Sequence, residues 1–236
     1  MEDDSSGQLA LPGTAIPPEP DLEQLGVIQL RRIVVGELAT NVYLLTDPTA
    51  RRQVLIDPGA DPEAVLALVG SGLPRATLDT IVVTHRHDDH LGALADVVAA
   101  THAQVVAGDD DADAITARTG VPVRQVMRHG DHLPIGSVTA DILALRGHTP
   151  GSIALAVPED RPQRPVRTHL FVGDSLFPGG PGMTTAPENF DRLYTDLVVR
   201  VFDLYPDETT VRPGHGLATT LGDERPHLRE WRRRGW

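Results

Sequence analysis

The 236-residue chain contains no cysteine, which excludes disulfide bonds, thiolate metal ligands and a cysteine nucleophile. Lysine is missing too, so all 21 basic residues are arginines; this rules out Schiff-base catalysis, a phosphate-loop lysine and activation of a serine by lysine. Long apolar runs are also lacking. Stretches such as Ile153 to Val157 fall far short of the roughly 20 residues needed to cross a bilayer, so no membrane partner is expected. The N-terminus has Glu2, Asp3 and Asp4 where a secretory signal would be basic, and no apolar stretch follows, which makes a cytoplasmic location the expectation. Basic residues do not balance the 33 acidic ones, and a formal net charge of −12 repels phosphate backbones, so nucleic acid is not an expected partner.

The length suits one sizeable core. Residues 1–26, with Pro17, Pro18 and Pro20, read as a flexible N-terminal arm, because proline breaks both helices and central strands. Residues 27–236 read as a single catalytic domain. Val27 to Val35, Asn41 to Leu45 and Gln53 to Ile56 are short aliphatic segments punctuated by Gly36 and Asp57-Pro58-Gly59, the pattern of an antiparallel meander. Asp61-Pro62 then provides an N-cap and a first-turn proline for a helix with an apolar stripe at Val65, Leu66, Leu68 and Val69. Ile81 to Val83 reads as a buried strand, Leu91 to Ala100 as a helix, and Gln104 to Ala107 as the next strand. Val138 to Leu145, Ile153 to Val157 and His169 to Val172 continue the strands. Phe190, Leu193, Tyr194, Leu197, Val198, Val201 and Leu204 recur at helical spacing. Two groups of strands with helices between and after them predict two sheets with helices outside.

The chemistry concentrates in Thr84-His85-Arg86-His87-Asp88-Asp89-His90, directly after the apolar run. Extended backbone points His85 and His87 the same way, and the following turn can bring Asp89 and His90 to a neighbouring point. Imidazole and carboxylate donors suit Zn²⁺, and also Fe²⁺ or Mn²⁺. Further on, His148 lies between glycine-containing turns and Asp174 follows Phe171-Val172-Gly173. Taken singly, the first could be a loop histidine and the second a helix cap. Asp57 reads as structural, bonding turn amides near the site. His102, His129, His132, His169 and His227 fall in no motif and read as surface or packing residues.

Five segments in order, Ile56-Asp57-Pro58-Gly59, Thr84 to His90, Gly147-His148-Thr149-Pro150-Gly151-Ser152, Gly173-Asp174-Ser175-Leu176-Phe177 and Pro213-Gly214-His215-Gly216, resemble the motifs of the metallo-β-lactamase superfamily, from about Val27 to about Gly222. The resemblance implies an α/β fold, a four-layer αββα sandwich with metals at one edge. It implies that His85, His87 and His148 hold one metal ion, that Asp89, His90 and His215 hold a second, and that Asp174 bridges both. The expected cofactor is thus two divalent ions, zinc first, with iron or manganese compatible. Hydroxide generated between the ions is expected to attack a small-molecule carbonyl substrate, with Asp89 and Asp174 as catalytic residues that orient it or pass on a proton.

Within the family the motifs look most like those of glyoxalase II-like hydrolases, which implies a thioester or other small carboxylic ester as substrate. One departure stands out: Gly180-Pro181-Gly182-Met183 occupies the place of that branch's usual Gly-Cys-Gly-Arg. A lactonase with the same seven ligands, a mononuclear iron persulfide dioxygenase and a non-catalytic metal-binding module are the alternatives. The tail from Glu224, with Trp231, Trp236 and three consecutive arginines, reads as a docked C-terminal segment. Its sequence leaves the oligomeric state open.

Overall fold

The computed structural model describes residues 20–161, 163 and 166–235. Short β-branched and aliphatic segments, separated by turn residues, pair into two sheets. In the first, β1 (Asp21–Leu25), β2 (Ile28–Val35), β3 (Thr40–Asp47), β4 (Arg52–Ile56), β5 (Thr77–Val83), β6 (Gln104–Gly108) and β7 (Gln125–Met127) lie side by side in sequence order. Pairing is antiparallel from β1 to β4 and parallel from β4 to β7. The change comes where α1 (Pro62–Ser71), α2 (Leu94–Thr101) and α3 (Asp109–Thr119) supply the long crossovers that parallel strands require.

The second sheet contains β8 (His132–Ile135), β9 (Val138–Ala144), β10 (Ile153–Glu159), β11 (Arg167–Gly173), β14 (Thr210–Pro213) and β15 (Thr219–Thr220), in the order β15-β14-β11-β10-β9-β8. A small hairpin of β12 (Leu176–Phe177) and β13 (Gly180–Pro181), then α4 (Pro187–Leu197), join β11 to its parallel neighbour β14. Two short helices, α5 (Leu221–Glu224) and α6 (Leu228–Arg234), close the chain.

Three apolar layers hold these elements together. β10 shows the logic: Ile153, Leu155 and Val157 join the core between the sheets, while the intervening Ala154 and Ala156 join the core under the outer helices. A strand buried on both faces reads as a continuous apolar run. On the other side, Val65 and Leu68 of α1, Leu94 and Val97 of α2 and Ile115 of α3 cover the outer face of the first sheet. The result is the αββα sandwich. No helix among the described residues is long and apolar enough to cross a membrane.

Several sequence-based expectations shift. Residues 1–19 of the N-terminal arm lie outside the described residues, but 21–25 form β1 rather than loose chain, because their backbone completes a ladder with β2. Asp61 holds the N-cap position of α1, but in a left-handed conformation and without a side-chain cap hydrogen bond; its carboxylate accepts instead from the Gly36 amide at 2.9 Å. The amphipathic stripe that begins in α4 passes after Leu197 into a wider π-type turn, Val198–Phe202. Leu204 therefore leaves the buried face and is exposed. α3 was not anticipated, since it opens on three aspartates and presents only a narrow apolar face.

Trp231 anchors the C-terminal segment. It is 1% exposed, meets the Phe202 ring at 6.0 Å and belongs to the core under α4. Trp236 lies outside the described residues. Truncating a buried aromatic removes its transfer energy and leaves a cavity, so Trp231→Ala should cost about 3–5 kcal/mol, measured as a lowered urea midpoint with an unchanged slope.

Candidate metal centre

The C-terminal ends of β5, β9, β11 and β14 open onto one edge of the sandwich, and the histidine and aspartate motifs follow directly from them. All seven residues singled out from the sequence meet there. Three groups of donor atoms, His85/His87/His148, His85/His90/Asp174 and Asp89/His90/His215, each lie within 4.8 Å of one another. The first two share His85 and the last two share His90. Asp174 stands between them: one carboxylate oxygen is 3.5 Å from His90 Nε2, the other 3.6 Å from His148 Nε2 and 3.4 Å from His215 Nε2. Asp89 Oδ2 approaches His215 Nε2 at 3.1 Å and His90 Nε2 at 3.5 Å.

The orientation of the rings is set from behind. His90 Nδ1 faces Asp57 Oδ2 at 2.9 Å, His148 Nδ1 donates to the Met183 carbonyl at 2.7 Å, and His215 Nδ1 donates to the Leu38 carbonyl at 2.9 Å. A proton placed on Nδ1 leaves the Nε2 lone pair for the interior of the cluster. Burial without partners marks the same spot: His148 Nε2 and Asp174 Oδ1 are buried and make no hydrogen bond. Unpaired polar atoms are costly inside a protein unless something else binds them, and this donor set suits a divalent cation.

The supporting side chains explain how distant segments meet. Asp57, buried, accepts from the amide and the hydroxyl of Thr84, both at 2.7 Å, and with its bond to His90 ties the first motif to the second. Its partners are thus the histidine loop itself rather than its own turn. Asn41 and Tyr43 on β3 bind the fifth motif across the sheets: Asn41 Nδ2 donates to the Pro213 and Gly216 carbonyls, both at 3.0 Å, and Tyr43 donates to Pro213 at 2.8 Å. Gly214 permits the close approach, since a Cβ there would lie 2.2 Å from Asp174 Oδ1 and 2.7 Å from His90 Cε1.

Asp111, at the start of α3, escaped the sequence reading. Fully buried, it accepts from the Arg86 and Gly151 amides, both at 3.1 Å, and from the Thr149 hydroxyl. One carboxylate thereby joins the loop of His85 and His87 to the loop of His148. The run Asp109-Asp110-Asp111 was the available signal, but it resembles an ordinary acidic first turn. Of the histidines outside the motifs, His169 is a buried packing residue, hydrogen-bonded to Glu159 at 3.0 Å and to Arg212.

Charge is divided across the cluster. Burial, then the neighbouring His90 charge, drives His85 well below the ordinary histidine value; burial and His148 lower His87. Burial also opposes a charge on His90, yet the Asp57 and Asp174 carboxylates outweigh it and raise its pKa to about 10. The contact with Asp174 chiefly raises His215. Asp174 is itself pushed up by burial, but His215 and His90 reverse this and hold it well below the usual carboxylate range. In the metal-free protein the carboxylates thus favour the charged form at His90 and His215, while burial favours the neutral form at His85 and His87.

A histidine whose folded pKa exceeds its unfolded value of about 6.5 stabilises the fold fully below that value and loses the contribution as pH climbs through the folded pKa. The metal-free protein should accordingly lose thermal stability between pH 7 and 10, and Asp57→Asn should flatten that dependence. Asp111→Ala strands three donors at a buried site, each worth about 1–3 kcal/mol. Chemical denaturation should show a loss of about 3 kcal/mol or more.

Comparison with known proteins follows the same lines. The family model described as the metallo-beta-lactamase superfamily matches residues 35–224. A hydroxyacylglutathione hydrolase of Synechococcus sp. is 33% identical over 181 residues, which are 74% of this chain and 63% of that protein; the chain thus spans under two thirds of that relative. ETHE1 from Myxococcus xanthus superposes with a TM-score of 0.68 at 32% identity, covering 84% of this chain and 82% of that one. TTHA1623 in a di-iron-bound form gives a TM-score of 0.61 at 33% identity, covering 82% and 96%. With its motifs converging on one edge of an αββα sandwich and most of its length matched, the chain belongs to the metallo-beta-lactamase superfamily.

Proposed function

We propose that this chain is a dinuclear metal-dependent hydrolase of small carboxylic esters, thioesters foremost, and that one catalytic domain that includes β1 carries the activity. The observation that carries this reading is the set of two donor triads linked by Asp174, with imidazole lone pairs aimed inward by Asp57, Met183 and Leu38. A full second triad favours two ions over one. The di-iron form of TTHA1623 supports a paired site in this fold and makes iron a realistic occupant beside zinc. Similarity to a hydroxyacylglutathione hydrolase supports the thioester assignment.

His85, His87 and His148 would hold one ion, Asp89, His90 and His215 the other, with Asp174 bridging. Bound there, a pair of divalent cations supplies Lewis acidity for the substrate carbonyl and a nucleophile from water at neutral pH. The protein's own groups do the rest. Asp174, deep in the cluster, fixes the spacing of the two triads through its two oxygens. Asp89 is partly exposed and meets both His90 and His215, so it can take a proton on the solvent side and deliver it to the leaving group. No lysine or cysteine is needed for either task.

Protein purified without added metal should contain about two transition-metal ions per chain by elemental analysis, and should hydrolyse members of a thioester and lactone panel. His148→Ala should lose metal. Asp174→Asn should cut turnover by roughly 10²-fold or more, the scale seen when a group stabilising transition-state charge is removed. Oxygen uptake with a persulfide and a single iron would replace this reading with the dioxygenase one, and full metal content with full turnover in both variants would defeat the site assignment.

A further inference from the structure

Among the described residues, the three most exposed large apolar side chains are Met183 at 78%, Leu217 at 75% and Leu38 at 66%. Isolated apolar residues on a surface call for no explanation. These three, however, belong to the loops that hold the candidate metal centre. The Met183 carbonyl accepts from His148, the Leu38 carbonyl accepts from His215, and Leu217 follows His215 by two positions. Phe177 adds a ring stacked near His215, with centroids 6.5 Å apart and planes 29° from parallel. Four apolar groups, carried by three segments that adjoin the site histidines, therefore stand beside the candidate metal centre.

Charge supports the same conclusion. Segments 36–39, 178–186 and 214–218 contain no arginine, and Glu37 is their only acidic or basic residue apart from His215. Met183 stands where the glyoxalase II-like pattern has an arginine. The Arg234 guanidinium reaches the Gly179 carbonyl at 3.5 Å and is also paired with Glu230 at 4.0 Å. On a chain of net charge −12, these segments carry no arginine for a second carboxylate on the substrate, and the two arginines lining the cavity that Leu217 borders, Arg32 and Arg212, are paired with Asp21 and Glu23.

We propose that Leu38, Phe177, Met183 and Leu217 form a specificity rim that selects acyl groups that are apolar and uncharged. The proposal deepens the hydrolase reading and rests on it for the identity of the substrate. An acyl chain lying across the rim gains with length, up to about fourfold in affinity per methylene where burial is complete. An acyl group ending in a carboxylate gains nothing from these apolar contacts.

Calorimetric titration of the zinc-loaded protein with acetate, butyrate, hexanoate, octanoate and succinate tests the rim directly, because all share the carboxylate head and differ in the tail. Affinity should rise at least tenfold from acetate to octanoate, and succinate should bind no more tightly than butyrate. Met183→Arg should shrink the octanoate advantage severalfold and favour succinate. The double variant Leu38→Ser/Leu217→Ser, at exposed positions that leave the backbone carbonyls in place, should flatten the chain-length series. Affinity independent of tail length, or succinate tighter than hexanoate, would overturn the proposal. Acyl thioesters of the same tails separate the two readings: tail-dependent binding without any turnover removes the hydrolase and keeps the rim, whereas turnover indifferent to the tail keeps the hydrolase and removes the rim.

Discussion

The centre depends on three hydrogen bonds made behind the imidazoles. His90, His148 and His215 each commit Nδ1 to an oxygen outside the cluster, which leaves Nε2 aimed inward. Without those bonds the rings could rotate or change tautomer, and the donors would lose their common focus. The three oxygens come from a buried carboxylate and two loop carbonyls. Ring geometry is therefore inherited from backbone positions that the sheets themselves determine.

The two sheets contribute unequal parts. β5 supplies His85, His87, Asp89 and His90 through one loop, while β9, β11 and β14 deliver His148, Asp174 and His215 from the opposite sheet. Apolar packing between the sheets brings these ends together, but packing is non-directional and does not place atoms to within an ångström. Polar bridges complete the alignment: Asn41 and Tyr43 reach from the first sheet to the end of β14, Asn41 also to the loop beyond it, and Asp111 joins the loops after β5 and β9. Each bridge crosses between chain regions that packing alone would leave free to slide.

This division explains what could be read from the sequence. The second motif was legible because its four donors fall within six residues and follow an apolar strand. Strand identity was legible where burial imposes a pattern, as in β4, β5 and β10. β1 was not, because Asp21 to Leu25 is an edge strand with four exposed side chains, and its stability comes from a ladder with β2 that leaves no mark on composition. Asp111 was invisible for a related reason. Its partners lie 25 to 40 residues away, and two of them, Arg86 and Gly151, contribute backbone amides, which no residue type at any spacing announces. The rim of Leu38, Met183 and Leu217 is equally silent in one dimension, since isolated apolar loop residues acquire meaning only when the fold gathers them.

The buried acids show how the fold separates scaffold from site. Asp57, Asp111 and Asp174 all sit where an ionised carboxylate is expensive. Asp111 is satisfied by two amides and a hydroxyl, with the Arg86 guanidinium at 3.6 Å. Asp57 is satisfied by Thr84 and His90. Asp174 alone of the three retains an oxygen that is buried and makes no hydrogen bond. Because filled acceptor capacity rigidifies and empty capacity binds, the first two belong to the frame. The third marks where the chain has left room for positive charge from outside.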